Sequence, residues 1–99
     1  MSPNEDKLEE IRKRIDEIDD AIADLLSQRM RYAKETKAEK VRMKKPIIDR
    51  QRQREVIEKW RERARRNRGS SGYDLSEEMM SKIAELIIEY TVKKEMEEQ

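Results

Sequence analysis

Apolar residues recur at steps of mostly three and four through the first third of the chain: Leu8, Ile11, Ile15, Ile18, Ile22, Leu25, Leu26, Met30 and Ala33. That period draws one stripe along an α-helix, with polar residues filling the other faces. Acidic residues come early in this segment and lysines late, the sense that a helix dipole favours. Pro3 suits a first turn, with Ser2 or Asn4 as its cap. No breaker follows before Pro46, so the pattern predicts a helix over residues 5–43. At about 1.5 Å per residue it would run roughly 58 Å. A compact chain of about 100 residues has a radius of gyration of only about 13 Å. The residues that follow cannot cover such a stripe. This implies a second subunit, most simply in an antiparallel or intertwined homodimer.

Pro46 forbids helix continuation and pushes Lys45 towards extended backbone. Asp49 then caps a second helix over residues 50–66, with Val56, Ile57, Trp60 and Ala64 as a narrow apolar stripe. Residues 67–74 hold both glycines and read as an exposed loop. Asp74 or Ser76 caps a third helix over residues 76–97. Its core face is Met79, Met80, Ile83, Leu86, Ile87, Tyr90 and Met96. Trp60 and Tyr90 are expected in the core, and the six methionines as adaptable packing. The expected fold class is all-α, one very long helix and two medium ones, with residues 1–99 as a single domain.

Charged residues make up 47% of the chain, enough to raise the question of disorder, which the periodicity answers. Composition does exclude chemistry. Without Cys there are no disulfides and no thiolate sites; without His, the commonest metal ligand and general base is missing. Neither a Ser–His–Asp nor a Cys–His nucleophile can be built, and no metal site is expected. No apolar run approaches the roughly 18 residues of a membrane span, and no signal-peptide pattern opens the sequence. A cytoplasmic protein without a membrane partner is expected. The net charge of +1 conceals blocks. Residues 1–39 carry 8 basic against 11 acidic groups, net −3; residues 40–68 carry 13 against 4, net +9; residues 69–99 carry 3 against 8, net −5. The middle block attracts anions. It lacks a nucleic-acid reading motif or a set of stacking aromatics, so no nucleic-acid partner is expected.

The sharper signal lies in cations that intrude on the apolar stripe. Continuing the seam of Ile15, Ile18, Ile22 and Leu25 leads to Arg29, then Tyr32, Thr36 and Lys40. Arg29 and Lys40 are 11 residues apart, about 20° of offset at 100° per residue, so both face the side where core was expected. Buried without partners, each would cost several kcal/mol, roughly. Two explanations stay open. One is an interhelical ion pair with Glu85, Glu89 or Glu95. The other is a polar pocket for a small anion, with Arg for bidentate carboxylate contact and Lys as a point charge.

The run IRKRIDEIDDAIADLLSQRMRYAKETKAEK, a short break, and then KPIIDRQRQREVIEKW resemble the all-helical chorismate mutase family. The first segment is similar to that family's Arg…Asp…Leu-Leu…Arg…Lys spacing, the second to its Pro-Ile-x-Asp-x-x-Arg motif, and LIIEYTVKKE to its third helix. The likeness covers residues 8–96. It implies an intertwined dimer of three-helix subunits, in agreement with the overlong first helix.

The resemblance also implies a pocket and a reaction, the unimolecular rearrangement of chorismate to prephenate. Arg12 would reach into the partner subunit's site and hold a substrate carboxylate, and Arg29 would bind one within its own subunit. Lys40 would touch a carboxylate and the ether oxygen of the breaking bond. Asp49 and Arg52 would contact or organise the substrate's polar end. Thr91 falls where the family commonly has a small hydroxyl residue. Glu95 falls where it has Gln or Glu beside the ether oxygen. Gln53 departs from the pattern, which has Glu there to accept from the ring hydroxyl; an amide oxygen still accepts, so weakened binding is expected. Such a pericyclic shift needs no nucleophile, metal or organic cofactor. Catalytic weight is expected on Lys40, Glu95 and Arg29, and Lys40→Ala is expected to lose turnover with the fold intact. Two other functions remain compatible: a pyruvate-releasing lyase acting on isochorismate, and a non-catalytic helical dimer.

Overall fold

The computed structural model describes residues 3–67 and 75–97. Three helices account for them in chain order: α1 (Pro3–Arg42), α2 (Arg50–Arg66) and α3 (Glu77–Glu95), with no strand among the described residues. The all-α expectation holds. Helix α1 begins two residues before the predicted start, so Asn4 lies inside it, and Ser2 lies outside the described residues, as do Asp74 and most of the expected loop. Helix α3 stops at Glu95, two residues short of the expectation. Nothing in LIIEYTVKKE marks a stop, because Gly and Pro are both absent there.

The helix ends follow local chemistry. Past Arg42, the Lys45 N–H donates to the Lys40 carbonyl at 2.8 Å and the Lys44 N–H to that of Val41 at 3.1 Å. This is the Schellman pattern, and its left-handed residue is Lys44, with φ of 58°. Five residues on, Asp49 takes extended backbone and its Oδ1 accepts from the Arg52 N–H at 3.0 Å. Ser76 caps α3 in the same way, accepting from the Met79 N–H at 3.0 Å, with Glu77 and Glu78 in the first turn.

The chain divides into two compact units, Met1–Tyr32 and Ala33–Gln99. The described residues of the first, 3–32, are helix alone, tied on its surface by the pairs Arg12–Glu9 (3.1 Å) and Arg14–Glu10 (3.8 Å). Its apolar stripe is exposed within the chain from Leu8 (45%) to Leu25 (62%). The stripe is regular, but this chain by itself does not bury it.

In the second unit α2 packs against α3. The two run antiparallel: Arg65, late in α2, bonds Glu77 at 2.8 Å, whereas Gln53, early in α2, shares a groove with Glu89 and Val92. Ala33, Val56, Ala64, Ala84 and Ile87 are buried, and Ile57, Trp60, Met80 and Ile83 are half-buried. Ala64 and Ala84 are the most enclosed, because a methyl side chain lets two helices approach closely. The expected core face of α3 is therefore rotated. Leu86 stands about 100° from Ile87 around the helix. Leu86, Met79, Tyr90 and Met96 are exposed, and the Lys93 ammonium sits 4.6 Å from the Tyr90 ring centre.

Candidate active site

Lys40 occupies the last turn of α1, where the Schellman turn brings the chain back beside it. Its Nζ donates to the Ile47 carbonyl at 2.6 Å and to Glu95 Oε2 at 2.8 Å. The Glu95 side chain is only 5% exposed and that of Lys40 19%. This is the buried charge of the described chain, and it is paired. The partner that sequence left open among Glu85, Glu89 and Glu95 is Glu95. That pairing changes the expectation for Lys40→Ala: its loss leaves a buried carboxylate without its cation, so the fold is no longer expected to be indifferent.

Thr91 lies one turn before Glu95 on α3, half-buried, its hydroxyl donating to the Ile87 carbonyl at 2.8 Å. Asp49 performs the capping that fixes the start of α2, and so the direction of Arg52 and Gln53. Arg52 is exposed and 3.9 Å from Glu55. Gln53 is half-buried and faces an open groove of about 360 Å³, also lined by Ile48, Arg50, Ile88 and Val92. The Ile47 carbonyl joins Lys40 to the segment that leads into Asp49. Arg12 and Arg29 belong to the first unit. Arg12 is exposed beside Glu9, and Arg29 is half-buried.

Away from this region, Arg65 bridges Glu62 and Glu77. The hydrogen bond and charge of Glu77 raise its guanidinium pKa further above the ordinary arginine value. It clips the far ends of α2 and α3 together and takes no part in the site.

Sequence reasoning missed Lys37, whose Nζ donates to the Glu97 carbonyl. Its position three residues before Lys40 was the available signal, hidden by the abundance of lysines and arginines.

The family model of chorismate mutase type II matches residues 11–96. The chain belongs to the type II chorismate mutase family. The match spans every residue assigned above to the candidate site, from Arg12 to Glu95. Membership makes the protein an isomerase, with chorismate as the substrate its family implies. No curated protein and no solved structure gives a match. Among the described residues, no helix is long and apolar enough to cross a membrane.

Proposed function

We propose that this chorismate mutase family member rearranges chorismate to prephenate in a homodimer, each site drawing on both subunits. The observation that carries the reading is the enclosed Lys40–Glu95 pair, built from α1 and α3 inside a family match that spans both residues. An ammonium has three N–H donors; Glu95 and the Ile47 carbonyl take two, which leaves one for a substrate oxygen. Cationic clamps on the two carboxylates would hold the dianion in its compact reactive conformer. Arg29 supplies one clamp from its own subunit and Arg12 the other from the partner. Charge grows on the ether oxygen as the C–O bond lengthens, so a donor fixed there stabilises the transition state more than the ground state. Lys40 takes that role, seconded by Glu95 when its carboxyl is protonated. Asp49, Arg52, Gln53 and Thr91 order the substrate's polar end.

The exposed stripe from Leu8 to Leu26 supports the dimer, since seven large apolar side chains on one face are too many for solvent to be their resting place. On this reading residues 1–99 form one domain that is complete only as a pair.

Ultraviolet absorbance reports chorismate loss, and proton NMR identifies the product. Prephenate is expected, with turnover falling about 100- to 1,000-fold in Lys40→Ala. A folded dimer that leaves chorismate untouched overturns the proposal. Release of pyruvate from isochorismate in its place would assign the lyase.

A further inference from the structure

Lys37 and Lys40, one turn apart on α1, both reach the end of α3. Lys40 holds the carboxylate of Glu95, and Lys37 donates to the backbone carbonyl of Glu97. Glu95 is the last residue of its helix. Carbonyls at such an end have no following turn to bond them, and terminal turns fray unless something outside the helix holds them. The local closures are the Met96 N–H to the Val92 carbonyl at 2.9 Å and the Glu97 N–H to that of Lys94 at 3.3 Å. The Lys94–Glu97 pair at 3.1 Å has both its ends inside the same segment, so it cannot anchor that segment to anything else. Glu95 is nevertheless enclosed, and it faces Lys40 only while this turn stays wound. The ammonium of the half-buried residue Lys37, placed at the negative end of the α3 dipole, is suited to hold it there.

We propose that Lys37 is a positioning residue. By anchoring the chain just past α3, it keeps the last turn wound and the Glu95 carboxyl against Lys40. The inference rests on the reading of Glu95 as part of the mutase site. Lys37 does not touch substrate; it acts through Glu95.

The test compares Lys37→Ala and Lys37→Arg in the full chain, each with native Glu95 and with Glu95→Ala. Two quantities are read: amide hydrogen exchange of residues 92–97 without ligand, and kcat and KM for chorismate. With native Glu95, Lys37→Ala should speed exchange in that turn about fivefold, the ordinary worth of one hydrogen bond. Turnover should drop by a similar factor with little change in KM. Lys37→Arg, which keeps the charge and reach, should restore both. With Glu95→Ala, removing Lys37 should cost no further turnover, because the group it positions is gone. An equal loss in both backgrounds overturns the proposal, since Lys37 would then act by another route. Unchanged exchange in Lys37→Ala, in a chain that does turn over chorismate, overturns the positioning role alone. A wild-type chain without mutase activity overturns the mutase reading, and this one with it.

Discussion

Replacing Lys40 by methionine removes the ammonium and keeps most of the side-chain length, so the charge is tested apart from the packing. Across 2.8 Å, at an effective dielectric of about 20, two unit charges attract by roughly 6 kcal/mol. Desolvation of both groups cancels much of this. Removing one partner of an enclosed pair typically costs about 3–5 kcal/mol, because the other charge stays behind unmatched. Lys40 keeps 19% of its side chain exposed, which places the expected cost near the lower end, about 3 kcal/mol. Small domains hold only about 5–15 kcal/mol in all. Urea unfolding followed by helical circular dichroism reads the loss, at fixed protein concentration because subunit association shifts the midpoint. Since the orphaned carboxylate carries the cost, Lys40→Met combined with Glu95→Gln should recover most of it. Among the described residues the double variant has no buried charge, yet it should stay about as inactive as Lys40→Met. An unchanged midpoint in Lys40→Met would refute the reasoning, as would a double variant no more stable than the single one.

Three further outcomes follow from particular residues. Lys44 holds a positive φ of 58° at a position that glycine usually fills, so Lys44→Gly should stabilise the fold by up to about 1 kcal/mol, read as a higher urea midpoint; a lower midpoint would mean that the lysine side chain contributes more than the backbone strain costs. A carboxylate has no proton to donate to the ether oxygen, whereas an amide has. Glu95→Gln supplies an uncharged donor while its amide oxygen still accepts from Lys40, so it should raise turnover; a slower Gln variant would count against a donor role for position 95. Mixed chains of Arg12→Ala and Arg29→Ala should regain activity, because one hybrid site receives both arginines; confirmed subunit exchange with no recovery would place Arg12 in its own subunit's site, and sedimentation equilibrium showing a folded monomer at micromolar concentration would remove the dimer altogether.

Much of the fold was legible because its boundaries are local. Pro46 ends what precedes it, Asp49 and Ser76 present a side-chain oxygen to the next free N–H, and α2 begins and ends where its pattern says. The end of α3 was less legible, since no residue there forces a stop. Nor could the Schellman turn at Lys44 be foreseen, because lysine is not the residue that conformation selects. The α3 side of the α2–α3 seam was misjudged for another reason. Periodicity weighs large side chains: it placed Ala64 in the α2 stripe but passed over Ala84, the residue of α3 most enclosed in this seam. Met79, Leu86 and Tyr90 accordingly face outward from the chain although they look like core.

The candidate site stands out in the sequence as a violation of pattern. A stripe that had been Ile15, Ile18, Ile22 and Leu25 continues in register to Arg29 and Lys40, against what burial favours. Stability alone does not explain a lysine there. An enclosed ion pair can often be exchanged for apolar residues of similar volume at no cost, or even at a gain. A Leu at position 40 and another at 95 would extend the stripe and remove two desolvated charges. Thr91 and Gln53, polar and half-buried beside apolar neighbours on their helices, depart from the apolar pattern in the same way. What those departures share is a set of donors and acceptors that an oxygen-rich dianion can use and that a hydrocarbon core cannot. The apolar replacement at both positions should therefore yield a protein at least as stable as the native one and without mutase turnover. A stable double-Leu variant that still rearranged chorismate would separate the Lys40–Glu95 pair from the chemistry and return it to the fold.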